Sequence, residues 1–165
     1  MAQIYFADGT YVPFPKESPN TSADTDREPP RYIVLHSTEG GFAGAVSWLL
    51  NRISRASAHF VVSRSGEMRQ LVSVHRRAWH AGRSKWDRRV NLNTCSIGIE
   101  MEHWDKKQDW PLAQLKAVAK LVAELRREFN IPVGKVVGHD QIAWPRGRKI
   151  DPWAFPWTSF RILIK

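Results

Sequence analysis

One cysteine, Cys95, is present in 165 residues, so no intramolecular disulfide can staple this chain. That scarcity fits synthesis in a reducing compartment. Long apolar runs are missing as well: no stretch approaches the ~18 apolar residues that a membrane helix needs, and membrane insertion is not expected. The opening segment, Met1 to Ser18, lacks a basic start followed by an apolar block, which argues against a secretory signal. Internal repeats are absent.

What is present supports one compact domain. Hydrophobic residues make up 42% of the chain, enough for a core without cross-links. Twenty-five basic residues stand against 16 acidic ones, a net charge of +9 and a sequence pI near 10.1. Such an excess favours a polyanionic partner: nucleic acid, an anionic membrane surface or a carboxylate-rich cell-wall polymer. No recognition motif supports nucleic acid. The eight tryptophans suit sugars and bases alike, although most tryptophans in a small domain simply pack.

Along the chain, residues 3–12 read as a hairpin around Asp8-Gly9. The segment from Pro13 to Pro30 is rich in Pro, Ser, Thr, Asp and Glu and reads as an arm or linker, giving a boundary between 1–30 and a compact domain at 31–165. Tyr32-Ile33-Val34-Leu35 is a buried-strand pattern. A helix is expected next, because Val46, Leu49, Leu50 and Ile53 keep helical spacing. Ala58–Val62 and Met68–Val72 form a strand pair around Ser65-Gly66, and Ser96–Glu102 alternates as another strand. A long helix starts near Pro111 and runs through Leu115, Val118, Val122, Leu125 and Phe129 until Asn130 and Pro132 end it. Lys135–Gly138 is a short strand, followed by loop and a short terminal helix. The order β, α, β, β, β, α, β predicts an α/β fold: a single domain with a central mixed β-sheet flanked by helices.

Two histidines directly follow strand patterns, His36 after Tyr-Ile-Val-Leu and His139 after Lys-Val-Val-Gly. Strand ends hold side chains rigidly while opening onto a cleft, as metal ligands require. Asp151 offers a carboxylate as a third ligand; its structural alternative is an Asx-type turn before Pro152. Two imidazoles and one carboxylate leave a fourth zinc position open for water, the pattern of a catalytic site. A metal there lowers the pKa of its water toward ~7 and polarises a carbonyl. Spacing alone does not single out this triple among the chain's six histidines and 16 acids.

A series of short motifs narrows the choice. In order they are Val34-Leu35-His36-Ser37-Thr38, Ser57-Ala58-His59-Phe60, Ala78-Trp79-His80-Ala81-Gly82, Asn93 with Ser96-Ile97-Gly98-Ile99-Glu100, Val137-Gly138-His139 and Lys149-Ile150-Asp151-Pro152. This set, spanning about Arg31 to Phe155, resembles the zinc-dependent N-acetylmuramoyl-L-alanine amidases, a family that includes phage endolysins, muropeptide-recycling amidases and animal peptidoglycan recognition proteins. The resemblance implies a peptidoglycan recognition protein/amidase-like fold and one Zn2+ held by His36, His139 and Asp151. It implies Glu100 as the proton-transferring carboxylate and Lys149 as the cation that meets the oxyanion. Strand alternation puts Glu100 and Glu102 on one face and Met101 on the other, and the resemblance selects Glu100.

Trp79, His80 and His59 belong to resembling motifs and are expected around the substrate, with structural support the stronger expectation for His59. His75 and His103 fit no motif and are expected to be exposed, while Cys95 is expected as a buried apolar residue. Arg76, Arg77, Arg83, Arg88 and Arg89 either meet carboxylates of the wall or form a solvated loop. The resemblance implies hydrolysis of peptidoglycan between N-acetylmuramic acid and L-alanine; a monomer is expected, although the sequence itself does not reveal the oligomeric state. The expected source is an endolysin made in a host cytoplasm and acting on the wall after release. A recycling amidase or a non-catalytic binding module is the alternative.

Overall fold

The structure, a computed structural model, describes residues 3–22 and 28–165. Its first strand, β1 (Thr21–Ser22), is short; β2 (Tyr32–Ser37) is the first of the central sheet, and all six of its residues are buried. Then come α1 (Phe42–Leu49), the hairpin strands β3 (Phe60–Val62) and β4 (Met68–Gln70), and the short pieces β5 (Arg77–Ala78), β6 (Lys85–Trp86) and β7 (Arg89–Val90). The second half holds β8 (Ser96–Met101), α2 (Leu112–Phe129), β9 (Val136–Gly138), α3 (His139–Ile142) and α4 (Trp157–Leu163). The central sheet is five-stranded in the order β4-β3-β8-β2-β9. Strands β3, β8, β2 and β9 run parallel and β4 pairs antiparallel at the edge, so the sheet is mixed as expected.

Parallel strands buried on both faces need apolar residues in unbroken runs, which is what β2 and β8 carry. Alternation then divides them. Ile33, Leu35, Ile97, Ile99 and Met101 pack with Val118, Leu121, Val122 and Leu125 of α2 and Phe160 of α4. Tyr32 and Val34 face the opposite side, with Ala81, Leu92, Cys95, Val137 and Ile142. Cys95 is therefore an apolar core residue. The long helix begins one residue after Pro111 and stops where Asn130 turns left-handed at φ 52°. Gly66, at φ 93°, makes the β3–β4 turn.

The shorter helix ends before Ile53, which is 78% exposed, so only part of the apolar spacing there is helical. Leu49 anchors α1 against Ala58, Val61 and Leu71. The tryptophans divide: none of the eight is fully buried, but Trp86, Trp110 and Trp157 are partly buried and pack against the hydrophobic cores. His103, expected exposed, is buried and stacked on Trp110 with ring centroids 3.8 Å apart. No helix among the described residues is long and apolar enough to cross a membrane.

The boundary at Arg31 is not a packing boundary. Backbone bonds between Phe6 and Thr10 and between Val12 and Ile4 close a turn at Asp8-Gly9, and Ile4, Phe6 and Val12 enter the same core as the sheet. Beyond it the chain is fastened by polar groups. Ser18 Oγ donates to the Leu49 carbonyl, the Asn20 amide donates to Asn51 and Ala56 carbonyls, and β1 pairs with β5. Composition registers such residues as linker because it counts polarity, whereas Ser and Asn can be buried once their polar atoms are hydrogen-bonded. Part of the Pro13–Pro30 segment, residues 23–27, lies outside the described residues.

Phe6→Ala tests this packing. The substitution is expected to lower unfolding free energy by about 3 kcal/mol in urea titration, with one cooperative transition. A residue in a solvated arm changes stability by less than ~0.5 kcal/mol.

Candidate metal centre and active site

In a parallel sheet, side chains at the same register point to the same face, so β2 and β8 bring His36 beside Glu100. Leu35 is in register with Gly138 of β9, which places His139 in the next row as that strand gives way to α3. All three residues thus sit at the carboxyl ends of adjacent parallel strands, where open α/β sheets bind ligands. Gly138 leaves room for its neighbours: a Cβ there would displace the Asp140 carboxylate and lie 3.0 Å from Pro152 Cδ. The Asp140 amide donates to the Asp151 carbonyl at 2.8 Å, tying the final loop to the start of α3.

The result is a convergence of electron pairs. His36 Nδ1 and His139 Nδ1 are 3.0 Å apart, and Asp151 Oδ2 is 3.4 Å from the first and 3.1 Å from the second. Ligand atoms on a tetrahedral zinc with bonds near 2.0–2.1 Å stand about 3.3 Å apart, so the triangle fits such an ion. Among the described residues, these three form the cluster that could hold a metal. Burial, then the neighbouring His139, pushes His36 down to about 4, while Asp151 works the other way. Burial by itself would raise the Asp151 carboxyl, but the adjacent His139 and His36 imidazoles together hold it well below the usual range.

The outer nitrogens of both imidazoles are also spoken for. His139 Nε2 lies 3.3 Å from the Ala81 carbonyl, which can only accept, so Nδ1 is the bare nitrogen. For His36 the direction is set by a longer chain. Ser96 Oγ donates to the Leu92 carbonyl at 2.6 Å, which lets His80 Nε2 donate to Ser96 at 3.1 Å. His80 Nδ1 is then an acceptor for His36 Nε2 at 3.0 Å, and His36 Nδ1 is left with its lone pair toward the cluster. Gly98 makes room for this chain, since a Cβ would come within 2.6 Å of His80 Nδ1. Asn93 Oδ1 accepts from the His80 and Ala81 amides and fixes the segment.

These contacts revise the expected substrate residues. His59 is fully buried, accepts from the Gly98 amide at Nδ1 and faces the Arg76 carbonyl at Nε2, so its ring ties β8 to the segment around Arg76. His80 borders the cavity, but its ring nitrogens point inward to His36 and Ser96. Trp79 does line the cavity, held by a bond from Nε1 to Ser22 Oγ. Among the basic residues, Arg76 pairs with Glu17 and Arg89 with Glu28, so these two are partly neutralised.

Glu100 and the exposed Lys149 share a cavity of about 660 Å³ with the three ligand candidates. Glu100 Oε2 is buried without a hydrogen-bond partner. Burial first, and the Asp151 charge second, push its carboxyl well above the ordinary range; Lys149 opposes this and Asp105 adds to it. Asp105 was not legible in the sequence. It accepts from Ser37 Oγ at 2.7 Å and from the Trp153 amide at 3.2 Å. Trp48, 54% exposed on α1, also borders the cavity and carried no motif signal.

An acceptor triangle sized for a metal, beside a carboxylate poised to take a proton, defines a metal-assisted hydrolase of carbonyl compounds. A family model described as N-acetylmuramoyl-L-alanine amidase matches residues 26–154, and the chain belongs to that family of zinc-dependent enzymes. It is 33% identical to the 1,6-anhydro-N-acetylmuramyl-L-alanine amidase AmpD of Escherichia coli over 168 aligned positions covering 89% of each chain. A crystal structure of a selenomethionine AmpD derivative superposes with a TM-score of 0.79 at 29% identity, over 98% of this chain and all of that one. The E. coli amidase AmiD, in complex with anhydro-N-acetylmuramic acid-L-Ala-D-γ-Glu-L-Lys, gives 0.76 at 28% identity over 86% of this chain and 60% of that one.

The hydrogen-bond chain behind His36 makes a prediction about metal affinity. His80→Phe keeps bulk but removes the acceptor, and zinc affinity should fall 10–100-fold in competition with a chromophoric chelator. His80→Asn, whose Oδ1 can accept in place of Nδ1, should recover most of the loss.

Proposed function

We propose that the protein hydrolyses the amide between the lactyl group of N-acetylmuramic acid and L-alanine, with zinc held by His36, His139 and Asp151. The observation that carries this reading is the convergence of two bare Nδ1 atoms and a carboxylate next to the unpartnered Oε2 of Glu100. Zinc, when bound, supplies a Lewis acid that polarises the carbonyl and acidifies a water. Glu100 takes the proton from the attacking water and delivers it to the departing amine of L-alanine. Its raised pKa suits both halves of that task, because a carboxyl that holds a proton more readily can keep it between the two steps. The Lys149 ammonium faces the carbonyl oxygen as negative charge grows on it. His80, Ser96 and Gly98 keep His36 aimed and touch no substrate.

Within this chemistry we read intact peptidoglycan as the target, as for an endolysin acting on the wall. The open cavity and the basic surface support that reading. The second reading is a recycling amidase acting on soluble anhydro-muropeptides, favoured by the name of the E. coli relative. Digesting purified sacculi and soluble anhydro-muropeptides in parallel separates the two, and release of stem peptides should stop when a chelator is added. Released disaccharides would contradict the amide assignment.

Glu100→Gln should retain zinc and lose about 10²–10⁴-fold in turnover. The pH dependence offers a second check with a definite sign. Lys149 lowers the Glu100 pKa and Asp105 raises it. The acid limb of kcat/KM should therefore move to higher pH in Lys149→Met and to lower pH in Asp105→Asn. The metal's own effect is common to all three proteins and cancels from the comparison.

A further inference from the structure

The catalytic cavity does not end at its rim. Lys149 and Ile150 also line a second depression of about 620 Å³, which runs past Trp153. That depression shares Trp86, Gln141 and Arg146 with a third, and the third shares Lys85 and Trp144 with a fourth of about 610 Å³. Because each depression shares wall residues with the next, they lie side by side as a row, a track that leads away from the cavity.

Two properties of this track go together. The first is flat apolar surface left open to water: Trp144 is 46% exposed and Trp153 43%. Each ring has a lysine ammonium near it, Lys85 at 5.2 Å from Trp144 and Lys106 at 4.9 Å from Trp153. The second is charge without a counterion. Among the described residues no ion pair neutralises Lys85, Arg88 or Arg146, and the nearby Asp87 is taken by Lys135. Exposed indole faces bordered by cations without an acidic partner offer complementary chemistry to a ligand that carries both apolar ring faces and carboxylates.

We infer that this track binds the neighbouring repeat of an uncleaved peptidoglycan strand, a sugar stacking on Trp144 and an acidic stem peptide meeting Lys85 and Arg146. The inference rests on the amidase reading and adds the size of the substrate. A strand supplies both groups at once: sugar rings present apolar C–H faces to indole, and stem peptides carry free carboxylates. Its continuity with the cavity through Lys149 and Ile150 puts the next repeat on the track while one amide lies at the cluster. A nucleic acid would satisfy the charge and the stacking, but it has no reason to lie in line with the amidase cavity. A single soluble muropeptide is spent within the cavity and leaves the track bare.

The test compares wild type with Lys85→Ala/Trp144→Ala/Arg146→Ala. Each protein is assayed on sacculi stripped of secondary anionic polymers and on a single soluble muropeptide. The loss in kcat/KM on sacculi is expected to exceed the loss on the soluble fragment by about tenfold or more, through KM. Cosedimentation of the Glu100→Gln protein with sacculi should weaken to the same degree when the three substitutions are added. Lys85→Glu/Arg146→Glu, which keeps the indole, should show the same bias, and its soluble turnover reports that the fold is intact. Equal losses on both substrates, or none, would overturn the track. Binding to sacculi that is unaffected while a DNA mobility shift disappears would also overturn it, in favour of a nucleic-acid surface. A wild-type protein that cleaves neither substrate brings down the amidase reading itself.

Discussion

Three acceptor atoms held within 3.4 Å of one another are the constraint on which the rest of the structure depends. Lone pairs at such distances repel unless a cation lies among them, and nothing in the three residues themselves keeps them together. The sheet does this work. Parallel pairing of β2 with β8 and β9 sets the backbone positions of His36, Glu100 and His139, and the loop carrying Asp151 is tied to α3 by a backbone bond. The apolar faces packed on α2 and α4 supply the stabilisation against which that local repulsion is small.

Aim is set separately from position. An imidazole can present either nitrogen, and only its second partner decides which. For His139 the partner is a carbonyl. For His36 it is a chain of donors and acceptors running through His80 and Ser96 to the Leu92 carbonyl. Gly98, in the middle of a core strand, has no packing side chain to offer; what it offers is the space that the His80 ring occupies. Glycine in a strand interior weakens the strand, so its presence marks a close approach, here of a ring that serves the metal cluster.

Electrostatics then divide the carboxylates by role. Asp151 is held ionised against its two imidazoles, while Glu100 is pushed toward protonation by burial and by the charges of Asp151 and Asp105. Two acids in one cavity with pKa values driven apart are what ligand and proton carrier require. Lys149 moderates the second shift from the exposed rim.

Local pattern alone determined a good deal. The apolar run of β2, the alternation of β8 and the capped periodicity of α2 are short-range effects, so the sheet, the long helix and the strand-end histidines were legible in the sequence. Ordered motifs resembling a known family added Asp151, Glu100 and Lys149, which spacing left among many acids and bases. Only the tertiary structure decided the rest. His59 and His80 stand in equally suggestive motifs, yet one is locked to backbone and the other braces His36. Asp105 reaches the cavity from outside any motif, and His103 is buried by the ring of Trp110. The described part of the Ser- and Pro-rich N-terminal segment is fastened to the domain, and Trp48, Trp144 and Trp153 lie open to water. In each of these cases the outcome depends on which distant groups satisfy a hydrogen bond or cover a ring, and that information arises only when the chain has closed on itself.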